Sequence, residues 1–342
     1  MSEQRRILVV GPSWVGDMVM AQSLFMALQQ QGPAQIDVLA PAWSLPILQR
    51  MPEVHQGIAM PLGHGQLGLR TRWRLGRALA GAGYQQAIVL PGSLKSALVP
   101  WFAGIPQRTG FTGEQRYGLL NDRRPLDKQA LPMTVQRFVA LAQPRVAGQG
   151  EVAPEFTPPR LVADAANAAR MRARLGLQDP RAAVAFMPGA EYGPAKQWPA
   201  HHFAELAKAL IARGQQVWVL GSAKDQGIGQ AIAEAVAEGA PSPHLHMLCG
   251  QTELGDVVDL LSLCAGAVSN DSGLMHIAAA LGVPLVALYG SSDPRHTPPL
   301  SPTARSLSLN LPCAPCFERR CPLGHTRCLN DLQPQQVLQA LP

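Results

Sequence analysis

Residues 7–20, ILVVGPSWVGDMVM, predict a buried strand, a tight turn and the start of a helix. The apolar run Ile7–Val10 has the composition of a strand that is covered on both faces. The turn carries Gly11 and Gly16, and the helical pattern after it continues until Gly32. This strand–turn–helix unit is typical of α/β folds, in which ligands bind where a strand ends.

One residue of this turn, Asp17, does not suit a phosphate site, because its carboxylate repels an anion. The turn also lacks the Gly-Lys-Ser/Thr of a Walker loop and the G-x-G-x-x-G of a dinucleotide site. Two hypotheses remain for Asp17 at this point. It caps the helix with its side chain, or it is a carboxylate that takes part in chemistry.

Apolar runs alternate with helical patterns along the whole chain, which indicates parallel sheets covered by helices. The predicted strands are ILVV, IDVLA, QAIVLPG, AAVAFMPG, QVWVLGS, LHMLCG, AGAVSND and PLVALYG. A Pro/Gly-rich stretch without periodicity, residues 143–160, predicts a linker. We therefore predict an α/β protein of two doubly wound, Rossmann-like domains, 1–160 and 161–342, that face each other across a cleft.

The composition indicates a folded, cytoplasmic protein. Hydrophobic residues make up 47% of the 342 residues, and the mean hydropathy is +0.03. No apolar run approaches the roughly 18–20 residues of a spanning helix. The N-terminal residues run into the first strand without the pattern of a signal peptide, so we expect no secretion.

The net charge of +6 is unevenly distributed. Residues 1–160 hold 16 Lys and Arg against 9 Asp and Glu, a balance of +7, whereas residues 161–342 hold 13 against 14, a balance of −1. The first half is therefore expected to meet an anionic partner, such as a nucleic acid, a membrane surface or an acidic substrate.

Two turns of the second half carry candidate site residues. PGAEYGPAKQWP places Lys196 between a strand and a helix, either as a solvated lysine or as a charge for a phosphate. NDSGLMH places a helix start at an anion-binding position. Its candidate residues are Asp271, Ser272, Gly273 and His276. Helix capping is the alternative role for Asp271 or Ser272. No D-x-D motif occurs, so a carboxylate clamp for a metal-bridged diphosphate is not expected.

A C-x2-C-x4-C-x6-C pattern lies near the C-terminus, formed by Cys313, Cys316, Cys321 and Cys328. Disulfides are not expected in a cytosolic protein. The pattern is then either a site for zinc or another soft metal, or a loop with free thiols. Two further cysteines, Cys249 and Cys264, have the apolar surroundings of core residues.

Three stretches resemble the signatures of glycosyltransferase family 9, the bacterial heptosyltransferases: GPSWVGDMVMAQSL, AEYGPAKQWP and NDSGLMHIAAALGVPLVALYG. The resemblance runs from about residue 6 to residue 300. It implies the GT-B architecture, with an acceptor-binding N-terminal domain and a nucleotide-sugar-binding C-terminal domain. It also implies inverting transfer from ADP-L-glycero-β-D-manno-heptose to heptosyl-Kdo-lipid A at the inner face of the membrane, without a cofactor and without a nucleic-acid partner.

The resemblance also implies roles for individual residues. Asp17 is the general base, and Lys196 neutralises the departing diphosphate. The diphosphate and the sugar are held by Asp271, Ser272, Gly273 and His276. In relatives an acidic side chain after the second strand of this domain holds the ribose. The matching turn here is GSAKDQ, where either Lys224 or Asp225 takes that place. The acceptor contacts expected from charge are Arg70, Arg72, Lys95, Arg108 and Arg116.

Other functions fit parts of the same sequence. A family 9 transferase with a different acceptor shares the motifs, and nucleotide-sugar epimerases share the architecture. A nicotinamide-dependent oxidoreductase is disfavoured, because no G-x-G-x-x-G follows the first strand of either half. A basic module that binds nucleic acid or lipopolysaccharide without catalysis explains the charge, but it does not need the turn at Asp17.

Overall fold

The computed structural model describes residues 4–63, 65–144, 152–237 and 241–341. The chain divides into two compact units, Met1–Pro159 and Arg160–Pro342, one residue from the predicted boundary. Within the predicted linker, residues 145–151 lie outside the described residues, and residues 152–160 contain neither helix nor strand.

The described residues of the N-terminal unit form a six-stranded parallel sheet. Its strands are β1 (Arg5–Val10), β2 (Ala34–Pro41), β3 (Val54–Met60), β4 (Gln86–Val89), β5 (Gln107–Phe111) and β6 (Asp122–Arg124). Its helices are α1 (Val15–Gln30), α2 (Leu45–Leu48), α3 (Leu69–Leu79), α4 (Leu98–Phe102) and α5 (Thr134–Ala140). The strand order β3-β2-β1-β4-β5-β6 reverses direction between β1 and β4. Ligands of such sheets bind beyond the carboxyl ends of the two strands at this switch point.

The described residues of the C-terminal unit repeat this topology. Its strands are β7 (Ala183–Met187), β8 (Gln216–Val219), β9 (Leu245–Met247), β10 (Gly266–Asn270), β11 (Leu285–Leu288) and β12 (Ala304–Leu307). Its helices are α6 (Ala165–Arg174), α7 (Ala200–Ala212), α8 (Gln226–Ala237), α9 (Leu254–Leu261), α10 (Gly273–Ala280), α11 (Arg327–Asn330) and α12 (Pro334–Ala340). The order β12-β11-β10-β7-β8-β9 places the switch point between β7 and β10.

The central strands are apolar along most of their length, because helices cover both faces of each sheet. Residues Ile7–Val10 of β1 and all residues of β7 are buried. The predicted fold class, α/β with two Rossmann-like parallel sheets, is confirmed.

A buried tryptophan fixes the end of the long loop between β7 and α7. Trp198 is fully buried and packs edge-to-face on Phe203, with 4.7 Å between the ring centroids. Its indole N–H donates a hydrogen bond of 2.9 Å to the Leu332 carbonyl, as a buried indole requires. The loop residues just before Trp198 are therefore held by the core.

Candidate functional site

The C-terminal unit brings two predicted site residues into direct contact. Lys196 lies in a single 3-10 turn, Pro194–Lys196, within the loop after β7. Its Nζ is 2.5 Å from Oδ2 of Asp271, the residue that follows β10. The Lys196 side chain is 17% exposed and that of Asp271 is 5% exposed, so water screens the pair little. A cation and a carboxylate thus lie at the switch point of the sheet, where ligands bind.

A residue that the sequence analysis did not assign to the site, Asn270, joins the two loops. Its Oδ1 accepts a hydrogen bond of 3.0 Å from the backbone N–H of Trp198, and its Nδ2 donates to the Pro188 carbonyl at 2.7 Å. Asn270 is fully buried at the end of β10. It holds both ends of the loop that carries Lys196, which fixes that side chain against Asp271.

The start of α10 has the geometry of an anion site. Ser272 is the N-cap residue and Gly273 is the first helical residue, but the Ser272 side chain makes no capping hydrogen bond. Its Oγ lies 3.3 Å from Ser269 Oγ instead. The alternative that Ser272 serves only as a side-chain cap is therefore wrong. The first backbone N–H groups of α10 therefore donate no hydrogen bond to their N-cap side chain, and such groups bind anions.

His276 lies one turn further along α10 and is buried. Burial, with a smaller contribution from the charge of Lys196, lowers its pKa to about 4, while the charge of Asp271 opposes the shift. The imidazole is therefore neutral at neutral pH. Contact with phosphate or sugar stays a prediction for His276, and it would be made by a neutral ring rather than by a cation.

The turn after β8 distinguishes the two ribose candidates. The Asp225 carboxylate accepts hydrogen bonds of 2.8 Å from the backbone N–H and the hydroxyl of Ser222. It also lies against the turn after β7, since a Cβ at Gly189 would come within 2.6 Å of its Oδ1. Lys224 instead pairs with Glu191 at 2.6 Å in an exposed position. Asp225 thus borders the switch-point site, and contact with the ribose stays a prediction.

Asp17 is the third residue of α1 and is half-buried. The N-cap residue of α1 is Trp14, whose side chain makes no capping hydrogen bond, and Asp17 lies in the first turn. A carboxylate there is stabilised by the helix dipole. Both hypotheses for Asp17, helix capping and chemistry, therefore stay open. Trp14, which the sequence analysis did not select, is 47% exposed beside this turn and offers an aromatic face.

The basic residues predicted as acceptor contacts have different surroundings. Arg72 and Arg116 are buried, and their guanidinium groups donate to backbone carbonyls of nearby loops. Arg108 donates to two backbone carbonyls as well. These bonds favour a structural role for the three arginines, while Arg70 is exposed and Lys95 is half-buried. Acceptor contact stays a prediction for all five residues.

The four clustered cysteines border a common cavity. The lining includes Cys313, Cys316, Cys321 and Cys328 together with Ala195, Ser291 and His325. No group of three or more His, Cys, Asp or Glu side chains in the described residues is already placed to hold a metal ion. The remaining cysteines, Cys249 and Cys264, are buried in the core as predicted, and burial raises the pKa of each thiol to about 12.

The chain is similar to known heptosyltransferases over nearly its whole length. The family described as glycosyltransferase family 9 (heptosyltransferase) matches residues 72–327. Lipopolysaccharide heptosyltransferase 2 of Escherichia coli (strain K12) is 48% identical over 339 residues, which cover 98% of this chain and 97% of that protein. Lipooligosaccharide heptosyltransferase 2 of Haemophilus influenzae (strain Rd) is 48% identical over 308 residues, covering 89% and 88%.

The fold is similar as well. The solved structure of E. coli ADP-heptose lps heptosyltransferase II matches with a TM-score of 0.87 and 47% identity, and covers 98% of this chain and 97% of that chain. The similarity therefore includes both units and the switch-point site of the C-terminal unit.

Proposed function

The chain belongs to glycosyltransferase family 9, and we propose that it transfers L-glycero-D-manno-heptose from ADP-L-glycero-β-D-manno-heptose to the first heptose of heptosyl-Kdo-lipid A. It is a heptosyl-transferring glycosyltransferase of lipopolysaccharide core synthesis, as the identity with its curated relatives shows. The observation that carries the donor site is the Lys196–Asp271 pair beside the uncapped start of α10.

The donor diphosphate is bound by charge and by backbone N–H groups. Lys196 neutralises the negative charge that develops on ADP as the glycosidic bond breaks. The N–H groups at Ser272–Gly273 receive phosphate oxygens at the start of α10. When the diphosphate binds, Lys196 is shared between phosphate and Asp271, and Asp271 contacts the heptose hydroxyls. Asp225 accepts hydrogen bonds from the ribose.

The transfer is a single displacement with inversion at the anomeric carbon. The acceptor oxygen forms the new bond while the bond from the anomeric carbon to the diphosphate oxygen breaks, and the electron pair leaves with ADP. The hydroxyl proton passes to the Asp17 carboxylate. Proton transfer occurs late, when the hydroxyl has become acidic in the transition state.

The acceptor is polyanionic and membrane-bound, and the N-terminal unit has a surface that suits both properties. On α3, the arginines 70, 74 and 77 are exposed beside Leu69 and Trp73, and Trp73 is 50% exposed. No Asp or Glu occurs between Glu53 and Glu114. Basic amphipathic helices with exposed tryptophan bind anionic membrane surfaces.

No helix of the described residues is long and apolar enough to cross a membrane. We accordingly place the chain peripherally at the inner face of the inner membrane, with the exposed face of α3 as the contact.

A transfer assay with two acceptors tests this function. The purified chain is given ADP-heptose with either Kdo-lipid A or heptosyl-Kdo-lipid A, and the product is identified by mass spectrometry. We expect product from heptosyl-Kdo-lipid A alone. Product from Kdo-lipid A alone would show a family 9 transferase with a different acceptor, and conversion of the nucleotide sugar without any acceptor would show an epimerase.

A further inference from the structure

The cysteine segment, residues 313–328, lies against the loop that carries Lys196. The Arg319 carbonyl accepts a hydrogen bond of 3.2 Å from the backbone N–H of Ala195. The Tyr192 hydroxyl donates one of 2.6 Å to the Phe317 carbonyl. The Arg319 guanidinium lies over the Tyr192 ring, 5.3 Å from its centroid. The segment thus contacts the loop on both sides of Gly193.

Gly193 shows how close this contact is. Its φ is +154°, and a Cβ there would come within 2.5 Å of the Arg319 carbonyl oxygen, which is backbone and cannot rotate away. On its other side the segment is bound to the turn after β11, where the backbone N–H of Phe317 donates to the Ser291 carbonyl at 2.7 Å. Any displacement of the cysteine segment would therefore move the Lys196 loop.

Few apolar side chains hold this segment in place. Cys313, Phe317 and Leu323 are exposed, and most of the segment has neither helix nor strand. Backbone hydrogen bonds alone are a weak means of fixing such a loop, since each contributes only about 1 kcal/mol. A metal ion bound by the four thiols, which border one cavity, would cross-link the segment.

The arrangement of the thiols suits a soft cation. All four border the same cavity, and the other three cysteines lie within electrostatic range of Cys328. The first pair has the C-x2-C spacing of a chelating pair.

We propose that the four thiolates of Cys313, Cys316, Cys321 and Cys328 bind one soft divalent cation of the zinc type, and that this ion fixes the segment against the Lys196 loop. The side chains of the described residues are not placed as a ligand set, so binding of the ion has to draw the four sulfur atoms together. Four thiolates satisfy the tetrahedral preference of zinc. The ion is structural and has no contact with the reacting atoms.

The first test measures metal, with zinc alone as the probe. The chain is purified without chelators, its zinc is quantified by elemental mass spectrometry, and cobalt substitution reports thiolate ligation through charge-transfer absorption. We expect one zinc per chain, and none in a Cys316→Ser/Cys321→Ser variant. The control Cys264→Ala removes a thiol outside the segment and should keep one zinc. Absence of stoichiometric metal, or thiols that all react freely with iodoacetamide, would overturn the proposal.

The second test measures the effect on the Lys196 loop and rests on the proposed function. Zinc is removed from the native chain with a chelator and added back, so that no variant has to fold. Without zinc we expect a lower thermal unfolding midpoint and a donor KM raised about tenfold, equivalent to about 1.4 kcal/mol of donor binding, both reversed by zinc. A KM that does not respond would refute the link to Lys196. Metal content and unfolding do not depend on transfer, so failure of the proposed function would show separately.

Discussion

Replacement of Lys196 by alanine removes the ion-pair partner of a buried carboxylate, Asp271. Asp271 is 5% exposed, and its Oδ2 loses the ammonium at 2.5 Å. Breaking a buried pair costs about 3–5 kcal/mol when the remaining charge stays buried. Lys196 is itself 17% exposed, so water can enter the vacated space. We therefore expect the free energy of unfolding to fall by about 3 kcal/mol, at the lower end of this range.

The same change should slow transfer for a different reason. Loss of one preorganised group that stabilises developing charge raises the barrier by about 3–4 kcal/mol. At 1.36 kcal/mol per factor of ten, kcat is expected to fall about 10²–10³-fold. Lys196→Arg keeps a positive charge and should retain more of the rate than Lys196→Ala.

A double variant separates the two effects. In Lys196→Ala/Asp271→Asn no buried charge is left unpaired, so unfolding in urea should show most of the lost stability restored. Transfer should stay as slow as in Lys196→Ala, because no cation faces the diphosphate. Both single variants complete the cycle. Recovery of the transfer rate together with stability would show that Lys196 acts only through the structure, and would refute its proposed role.

Four further outcomes are expected. Asp17→Asn should lower kcat about 10²–10⁴-fold while ADP binding by calorimetry is unchanged; near-normal turnover would remove Asp17 as the base. Asp225→Ala should raise the donor KM about tenfold or more, whereas Lys224→Ala should not, and equal effects would contradict the ribose assignment. The pKa of His276 falls on folding from 6.5 to about 4, so the unfolded chain binds the proton first as the pH decreases. The free energy of unfolding should therefore decrease by about 3 kcal/mol from pH 6.5 to pH 4. Urea titrations at each pH should show a weaker pH dependence for His276→Asn. Trp73→Ala should weaken binding to anionic vesicles, measured by co-sedimentation, about tenfold. Unchanged binding would exclude this face of α3 as the membrane contact.

The central strands were easier to predict from sequence than the sheet edges. The strands that the apolar runs predicted include β1, β4, β7 and β10, which lie at the two switch points, and the edge strand β9. The strands without such a signal are β3, β5, β6 and β12. Of these, the edge strands β3, β6 and β12 leave residues exposed, and β6 and β12 carry charged side chains. Their pairing is decided by the neighbouring strand rather than by their own hydrophobicity.

The site residues were predictable as separate motifs, but their contacts were not. Lys196 and Asp271 are 75 positions apart in sequence, and only the order of β7 and β10 brings them together. Asn270 had no signal beyond its place before Asp271. A charge count also cannot distinguish an arginine in solvent from Arg72, whose guanidinium group donates hydrogen bonds to backbone carbonyls. Such roles depend on loop geometry, which local pattern does not encode.

The two units place opposite charges after corresponding strands of the same topology. Asp17 follows the first strand of the N-terminal sheet, and Lys196 follows the first strand of the C-terminal sheet; each strand lies at its switch point. A carboxylate at this position repels a diphosphate and can accept a proton from a hydroxyl. An ammonium at the equivalent position attracts a diphosphate and cannot act as a base while it is protonated. From this exchange of charge on a repeated fold we infer a division into an acceptor-activating unit and a donor-binding unit. The balance of +7 against −1 between the halves has the opposite sign to these two residues. In this proposal the basic surface of the N-terminal unit collects the anionic acceptor, and Asp17 is the negative group that meets the hydroxyl.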